Sequence, residues 1–396
     1  MKSKSTSRRS FLSAGLLLPV VGATSRMGLA STGTGFFKSP EESIEKPSAP
    51  AKLEYRTLGK TGLKVTTLGF GCMITSDPSV IERAADIGVN YFDTARSYQH
   101  GNNERMVGAA LGAKRKQTVL STKTEATTKA GLVDELNTSL RELKTDYVDI
   151  WYLHSKDKIA DVTDEMIEVQ QLAKTQGKIR FAGVSTHTPQ LLLPWMAQKD
   201  VFDVALTVYN FAMNTAMDQA IATAAKAGIG IVGMKVMAGG FKDIRPSDPL
   251  YSKMKKDGAM LAALKWVLSR PNIATTIPGM TDMDQLDENL QAMANPLSSG
   301  DEKILAAHLE KIAPIYCRMC GECDGACQKG LPIAGMMRIL TYADGYRQFG
   351  LGRERFQQLA AEHRAVRCGD CDECTVQCPH GVRVSDRMAR AQELFA

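Results

Sequence analysis

The sequence has almost no cysteine over most of its length. Cys72 is alone in the first 316 residues, and the other eight of the nine cysteines lie between Cys317 and Cys378. Cysteines confined to one end of a long chain are not the pattern of a disulfide framework. Long hydrophobic runs are absent as well, since none reaches the roughly 18 apolar residues that a spanning helix requires. We therefore expect a protein that is not integral to a membrane.

Charge of one sign is missing from the amino terminus, because the first thirty residues contain no Asp or Glu. The formal net charge of the chain is +6, and five basic residues of this segment supply most of it, which leaves about +1 for the rest. A near-neutral body without a basic stripe gives no reason to expect nucleic acid as a partner. The length of 396 residues, with 44% hydrophobic and 23% charged residues, allows one large globular domain and a smaller one.

The amino-terminal segment carries an export pattern. Residues 7–12 read SRRSFL, which matches the twin-arginine motif, and a weakly apolar run follows over residues 14–23. We predict a signal peptide over 1–30, with cleavage after Ala30 or, alternatively, after Ala23, and a flexible linker over 31–52. A disordered basic tail is the plainer alternative. The motif predicts export of the folded protein to the periplasm or another extracytoplasmic space.

Short apolar strand-like runs alternate with longer amphipathic segments from residue 66 onward, the pattern of repeated βα units. Eight pairs are counted, the number that closes a (β/α)8 TIM barrel. A β-hairpin around Gly59-Lys60-Thr61-Gly62 precedes them and is expected to plug the amino-terminal mouth. An open doubly wound sheet is the alternative, but no G-x-G-x-x-G follows the first strand. The predicted strands are 66–72, 90–95, 118–124, 147–154, 179–186, 202–210, 228–237 and 273–279.

Polar side chains at the carboxyl ends of barrel strands mark the expected active site. Asp93 and Tyr98 follow the second strand, Lys123 ends the third and His154 ends the fourth. A tyrosine hydroxyl with an ordinary pKa near ~10 needs help to donate a proton at neutral pH. A neighbouring Lys123 ammonium, held by Asp93, would lower that pKa, while His154 orients the substrate oxygen. Cys72 is expected to be a buried thiol at the barrel rim.

The order and spacing of several segments resemble the aldo/keto reductase family: YFDTARSY (91–98) with Asn103 and Glu104, STK (121–123), LH (153–154), GVS (183–185), IPG (277–279) and EN (288–289). The resemblance covers roughly 53–295 and implies that Tyr98 is the general acid of a tetrad with Asp93, Lys123 and His154. It also implies NAD(P)H as cofactor, with Ser185 and Asn289 among its contacts. After the seventh strand, Gly239 and Gly240 would let backbone amides approach a pyrophosphate.

Two cysteine motifs follow the barrel, and both have the spacing C-x2-C-x2-C-x3-C of bacterial ferredoxins. We predict two [4Fe-4S] clusters in a small, mostly α, ferredoxin-like domain over 311–396, next to a barrel domain over 53–310. In such motifs the fourth cysteine often reaches the other cluster. That pairing stays open, because Gln328 stands where proline is usual, and zinc is the alternative metal. The predicted ligands are Cys317, Cys320, Cys323 with Cys378, and Cys368, Cys371, Cys374 with Cys327.

Two functions remain open at this point. The first is an oxidoreductase acting on a small-molecule carbonyl or alcohol with Tyr98 as acid or base, the clusters exchanging electrons with a redox partner protein. The second is an electron-transfer protein whose barrel is a scaffold without nicotinamide-dependent activity. It is favoured by four residues that stand where the family holds its cofactor: Leu206, Met234, Gly279 and Gln285.

Overall fold

The computed structural model describes residues 52–240 and 258–396. The predicted signal peptide and all but the last residue of the predicted linker lie outside the described residues, as does the loop 241–257. The described residues belong to one compact unit, Ala49–Ala396. No helix among them is both long and apolar enough to cross a membrane.

Eight parallel strands form a single sheet in sequential order, and isolated bridges from Leu68 to Thr276 and from Gly71 to Gly279 join its first strand to its last. The sheet is therefore closed into the predicted barrel. Each strand lies within one of the predicted segments, and nearly all of their residues are buried, as expected for parallel strands covered on both faces. The strands are β3 (Phe70–Gly71), β4 (Tyr91–Asp93), β5 (Val119–Thr124), β6 (Val148–Leu153), β7 (Ile179–Thr186), β8 (Val204–Val208), β9 (Gly230–Met234) and β10 (Thr275–Thr276).

Helices follow the strands and cover the outside of the barrel. Several begin at a side chain that accepts a hydrogen bond from a backbone N–H of the first turn, as Thr128, Thr163, Asn214 and Asp282 do. Such caps fix where each loop ends, and so where each strand can place its last residue. The helices are α1 (Pro78–Ile87), α2 (Asn102–Leu111), α3 (Lys129–Glu142), α4 (Asp164–Thr175), α5 (Pro189–Lys199), α6 (Thr215–Lys226), α7 (Ala259–Leu268) and α8 (Met283–Ala294).

The hairpin predicted ahead of the barrel is present as β1 (Tyr55–Thr57) and β2 (Lys64–Thr66), paired antiparallel. Leu58 and Val65 are fully buried and pack with interior residues of the strands, among them Ile150. Gly59 lies so close to the backbone of Gly230 that a Cβ there would stand 2.3 Å from its nitrogen. The hairpin therefore closes the amino-terminal end and leaves the carboxyl ends of the strands as the open face.

The carboxy-terminal part is helical. It consists of α9 (Ser299–Ile312), α10 (Ile333–Asp344), α11 (Phe349–Gln357), α12 (Ala361–Ala365) and α13 (Val384–Phe395). Leu340, Phe356, Met388 and Phe395 form the centre of its own hydrophobic core. Residues 311–396 are all described and contain no strand, so the part is mostly α, and its likeness to ferredoxins rests on cysteine spacing alone. Helix α9 runs across the predicted boundary at 310/311.

Candidate active site and cysteine centre

Three of the four predicted tetrad residues are joined by direct hydrogen bonds. Lys123 Nζ lies 2.5 Å from Asp93 Oδ2 and 3.2 Å from Tyr98 Oη, and it also donates to the Thr94 carbonyl at 2.7 Å. Asp93 and Lys123 are almost fully buried. The rings of His154 and Tyr98 meet edge to face, with centroids 5.9 Å apart. The carboxyl ends of β4, β5 and β6 thus bring the whole tetrad to one place.

The acidity of Tyr98 is set more by burial than by its lysine. Burial raises the pKa of the Tyr98 hydroxyl well above its ordinary value, and the Asp93 carboxylate raises it further. The net pKa is therefore raised, contrary to the lowering expected from the Lys123 ammonium, which is itself paired with Asp93. Burial lowers the pKa of Lys123, and Asp93 opposes that shift. In the neutral range the Tyr98 hydroxyl therefore carries its proton and can donate it.

The loop that carries Tyr98 is strained. Gln99 and His100 adopt left-handed backbone conformations, with φ of 50° and 53°, and Gly101 follows with φ of 84°. A side chain at Gly101 would collide with the guanidinium of Arg96, which forms a salt bridge with the buried Glu104. Non-glycine residues in this region are uncommon and concentrate where the surrounding structure enforces a geometry. The backbone conformation of residues 96–101 therefore fixes the position of Tyr98.

A carboxylate and an arginine that the sequence analysis did not single out complete the surroundings of His154. Glu125, just past β5, places Oε1 3.1 Å from His154 Nδ1. Arg355 of α11 reaches across from the carboxy-terminal part and lies 3.0 Å from the same oxygen. Burial raises the pKa of Glu125, but the bonds to His154 and Arg355 outweigh it, so the net pKa is well below its usual value. Burial also lowers the pKa of His154, which favours the neutral ring.

A second arginine of the carboxy-terminal part contacts the barrel loops in the same way. Arg338 Nη1 of α10 lies 2.7 Å from Asp157 Oδ2 and 2.8 Å from His187 Nδ1. Burial and the arginine charge lower the pKa of His187 to about 4, although Asp157 opposes this. His187 Nδ1 also lies 3.1 Å from Asp157 Oδ1, so the tautomer of the ring determines whether Nδ1 donates to that carboxylate or accepts from the guanidinium. Helices α10 and α11 are thereby tied to the loops after β6 and β5.

A cavity of about 840 Å³ lies between the carboxyl ends of the strands and the carboxy-terminal helices. Its barrel wall includes Tyr98 and His154, and it extends to α8. Its other wall is formed by residues between 335 and 359, which we call the roof segment; Arg338, Tyr342 and Arg355 belong to it. A cavity of this size is typical of sites for small molecules or cofactors. Asp93, Tyr98 and His154 of the tetrad therefore line a cavity whose opposite wall comes from the carboxy-terminal part.

All four residues predicted to contact a nicotinamide cofactor, Ser185, Gly239, Gly240 and Asn289, line this cavity. Ser185 Oγ already accepts a hydrogen bond from the Ser155 N–H at 2.8 Å. Gly239 is approached by the roof segment, as a Cβ on Gly345 would stand 2.0 Å from the Gly239 carbonyl oxygen.

Leu206 and Met234, where the family resemblance implies polar or aromatic cofactor contacts, line the same cavity. The four predicted contact residues of the preceding paragraph are positioned to line an elongated ligand. Leu206 and Met234, however, put apolar side chains where the family resemblance implies polar or aromatic contacts to the cofactor.

The eight clustered cysteines fall into two groups in space. Cys317 has Cys323, Cys320 and Cys378 as its thiol neighbours, and each of them raises its pKa. Cys368 has Cys327, Cys371 and Cys374 as neighbours with the same effect. None of the eight forms a disulfide. The fourth cysteine of each motif thus lies beside the first three of the other, the grouping that the ferredoxin spacing predicts.

The donor set of these groups suits a metal centre. Burial raises the pKa of Cys317 to about 12 and of Cys323 to about 11. Sets of four thiols are the ligands that iron–sulfur clusters and structural zinc require. His380 and Glu322 also lie beside Cys320, with one ligand atom of each residue within 4.8 Å of the others. Cysteine, histidine and carboxylate together would suit zinc, so the chemistry of the donors leaves that metal as the alternative.

The first cysteine group is joined directly to the barrel. Gln190 Nε2, in the first turn of α5, donates to the Cys320 carbonyl at 2.6 Å. Tyr316, the residue before Cys317, accepts at its hydroxyl a hydrogen bond of 2.8 Å from Asn210, at the end of β8. The Asn210 amide also donates to the Lys235 carbonyl. A continuous set of bonds therefore runs from the cysteine group to the loop after β9.

The site residues missed at the sequence level are of two kinds. Glu125 and His187 come directly after predicted strands, so the rule that led to the tetrad could have found them. Arg338, Tyr342 and Arg355 lie far away in sequence, in a stretch that reads as ordinary amphipathic helix. No local pattern distinguishes them, because their role follows from the docking of α10 and α11 on the barrel.

The sequence was compared with models of protein families, and the result agrees with the fold and the site described above. The model of the aldo/keto reductase family matches residues 76–310. The chain belongs to this family, and it is an oxidoreductase of the aldo/keto reductase type.

Individual relatives resemble the barrel part of the chain. An uncharacterised oxidoreductase of Bacillus subtilis is 26% identical over 298 residues, covering 65% of this chain and 96% of the relative. L-galactose dehydrogenase of Arabidopsis thaliana is 27% identical over 308 residues, covering 66% and 94%. Among solved structures, an aldo-keto reductase from Bacillus halodurans in its holo form has a TM-score of 0.57 at 26% identity, covering 65% and 96%. These matches span nearly all of each relative.

Proposed function

We propose that the protein interconverts a small-molecule carbonyl and its alcohol, with Tyr98 as the proton donor in reduction and the acceptor in oxidation. The observation that carries this proposal is the hydrogen-bonded set of Asp93, Lys123 and Tyr98, of which Asp93 and Tyr98 line a cavity. Two relatives are named L-galactose dehydrogenase and L-glyceraldehyde 3-phosphate reductase, activities of the same class.

In this proposal each group has its own task. Tyr98 Oη holds the proton, because its raised pKa keeps the hydroxyl protonated. Lys123 holds the hydroxyl in place through its 3.2 Å contact, and Asp93 holds Lys123. The carboxylate of Glu125 beside Nδ1 favours a proton on that nitrogen of His154, leaving Nε2 to accept from a substrate hydroxyl. A nicotinamide bound in the same cavity would supply or accept the hydride.

We further propose that the two cysteine groups each hold a [4Fe-4S] cluster, which would supply one-electron transfer when bound. The grouping into two sets of four thiols, each with three cysteines of one motif and the fourth of the other, supports it. Zinc is the competing assignment, and analysis of iron, acid-labile sulfide and zinc in the anaerobically purified chain separates them. About eight irons and eight sulfides per chain are expected for two clusters.

The decisive experiment for the barrel is turnover of a panel of aldehydes and ketones with NADH or NADPH, comparing Tyr98→Phe with the wild type. Loss of a general acid lowers the rate by about 10²–10⁴-fold. Tyr55→Phe is the matched control, since Tyr55 is exposed on the hairpin. Undiminished turnover in Tyr98→Phe would contradict the proposal. A visible spectrum recorded before and after the nicotinamide is added shows whether the metal centres receive its electrons.

A second function, electron transfer with the barrel as a scaffold, is favoured by Leu206 and Met234 at the cavity wall. An apolar side chain facing a buried amide leaves that group unpaired and weakens binding. This function predicts about eight irons per chain, no binding of NAD(P)H and no bleaching by it.

For localisation, we propose export by the twin-arginine route on the strength of the SRRSFL motif. Replacing Arg8 and Arg9 together by lysine is expected to retain the protein in the cytoplasmic fraction.

A further inference from the structure

Lys235 is a cation of the active-site cavity that the tetrad does not use. It follows β9 directly and lines the cavity together with Tyr98 and Arg338. Its ammonium lies 5.0 Å from the centre of the Tyr342 ring and 5.2 Å from that of Tyr346. The two tyrosines come from the roof segment, so the cation sits where the barrel and the carboxy-terminal part meet.

The backbone of Lys235 is held in an unfavourable conformation. Its φ of 54° lies in the left-handed region, which non-glycine residues rarely adopt. Two hydrogen bonds to its carbonyl fix this geometry, one from the buried Asn210 amide at 3.0 Å and one from the Ala238 N–H at 3.1 Å. Strain of this kind persists only where the surroundings enforce it, and it concentrates at ligand sites. The left-handed conformation of Lys235 is therefore consistent with a role in binding a ligand.

The charges around Lys235 do not balance among the described residues. Arg338 is paired with Asp157, and Arg355 is paired with Glu125. For Lys235, no carboxylate in 52–240 or 258–396 forms an ion pair, and its electrostatic neighbours are Tyr342, Tyr346 and the like-charged Arg338. Lys235 is partly buried, and an ammonium shielded from water without a counter-charge is costly.

The acids of α8 that line the far end of the cavity do not remove this excess. Asp284 and Glu288 are exposed to solvent and are not among the groups that act on Lys235. Among the residues that the structure describes, one positive charge in the cavity lining, that of Lys235, therefore has no ion-pair partner.

Tyr342 adds a hydroxyl to this cation. Arg338 and Tyr342 are four residues apart on α10 and share one helix face. Burial raises the pKa of Tyr342, but Lys235, Arg338 and Arg355 outweigh it, so its net pKa is lowered. A hydroxyl polarised by three cations is a strong donor to an anion. An ammonium, a guanidinium and a hydroxyl group thus line the same cavity.

We infer that Lys235, Arg338 and Tyr342 form a subsite for an oxyanion, and that the substrate of the barrel carries a carboxylate or phosphate group that binds there. This rests on the proposed function for the identity of the ligand as substrate. The subsite is built by the roof segment and by Lys235 directly after β9, and Tyr342 is near enough to the tetrad to contribute to the raised pKa of Tyr98. The chemical class it selects is a carbonyl compound or alcohol with an anionic tail.

Binding can be measured without turnover, by calorimetry on the anaerobically purified full chain at pH 7. Benzoate and phenyl phosphate are the anionic probes, and benzyl alcohol is the neutral one of similar size. Removing the partner of a charge-assisted hydrogen bond weakens binding by about tenfold to a hundredfold. Lys235→Met is expected to lose that factor for both anions, and Tyr342→Phe part of it.

Controls keep the test independent of folding and of the tetrad. Lys199 also lies over an aromatic ring, that of Trp195, but it is exposed, so Lys199→Met should bind the anions as the wild type does. Lys235→Arg keeps the cation and is expected to retain measurable anion binding. Tyr98→Phe, expected to lower turnover by about 10²–10⁴-fold, should keep the anion affinity, so that the two proposals can fail separately.

Three results would overturn the inference. One is equal anion affinity in Lys235→Met and the wild type. Another is binding of benzyl alcohol as strong as that of benzoate. The third combines two observations: NAD⁺ displaces both anions, and Lys235→Met loses affinity for NAD⁺ to the same extent. That result would assign the Lys235 ammonium to the pyrophosphate of a dinucleotide. Loss of anion binding in Lys235→Met with NAD⁺ affinity unchanged supports the substrate subsite.

Discussion

Replacing Asp93 by asparagine isolates the buried charge of Lys123. The two side chains are 1% and 2% exposed, and 2.5 Å separates Lys123 Nζ from Asp93 Oδ2. Breaking a buried ion pair by removing one partner costs about 3–5 kcal/mol of stability. Asparagine keeps an oxygen that can accept from Nζ, so we expect a loss near the lower end, about 3 kcal/mol at pH 7.

The loss of stability in Asp93→Asn should become smaller as the pH rises. Asp93 raises the pKa of Lys123 against the lowering effect of burial, so its removal lets that pKa fall further. The unfolded chain has an ordinary lysine pKa of about 10.4. Between the two values the unfolded state binds more protons, so the free energy of unfolding rises with pH. From pH 7 to 9 the gap between Asp93→Asn and the wild type closes by at most about 2.7 kcal/mol, at about 1.36 kcal/mol per unit.

Anaerobic denaturant unfolding at pH 7 and pH 9 measures this gap. Asp149→Asn is the matched control, since Asp149 is equally buried but pairs with Arg115 and Arg180. Arginine does not deprotonate in proteins, so the loss in Asp149→Asn should not shrink with pH. A pH-independent gap in Asp93→Asn, or the same closing of the gap in the control, would refute the reasoning.

Two further predictions concern the carboxy-terminal part. Gly345→Ala is expected to destabilise the chain by about 1–3 kcal/mol, because its Cβ would meet the Gly239 carbonyl oxygen at 2.0 Å, whereas Gly350→Ala, with open space around it, should be near neutral in thermal unfolding. Cys378→Ser is expected to lower the iron content by up to four atoms per chain, while Cys72→Ser leaves it unchanged; equal iron in both variants, by elemental analysis, would contradict the assignment of Cys378 as a ligand.

The barrel could be predicted from the sequence because each of its signals is local. Buried β-branched runs at regular spacing mark the strands, and polar residues such as Lys123 and His154 at strand ends mark the site. The roof could not be predicted in this way. Arg338 and Arg355 meet Asp157 and Glu125 across roughly 180 to 230 residues of chain, and nothing near either arginine indicates that contact.

The acidity of Tyr98 shows a similar limit at shorter range. The sequence identified its neighbour Lys123 correctly. The direction in which the pKa of Tyr98 shifts, however, depends on burial and on the Asp93 carboxylate, which is paired with Lys123. Burial is a property of the packed structure, and the sequence motif carries only the identity of the neighbours.

The grouping of the cysteines has a consequence for the conformational entropy of the chain. The roof segment lies within the stretch between Cys327 and Cys368, two residues that belong to the same group. A metal centre that binds both of them closes a loop of roughly forty residues, and loop closure removes disorder from the unfolded ensemble. Part of the ordering of one cavity wall would then be accomplished at the cysteines, without any substrate. Under that condition, assembly of the metal centre and ordering of the roof segment are thermodynamically coupled.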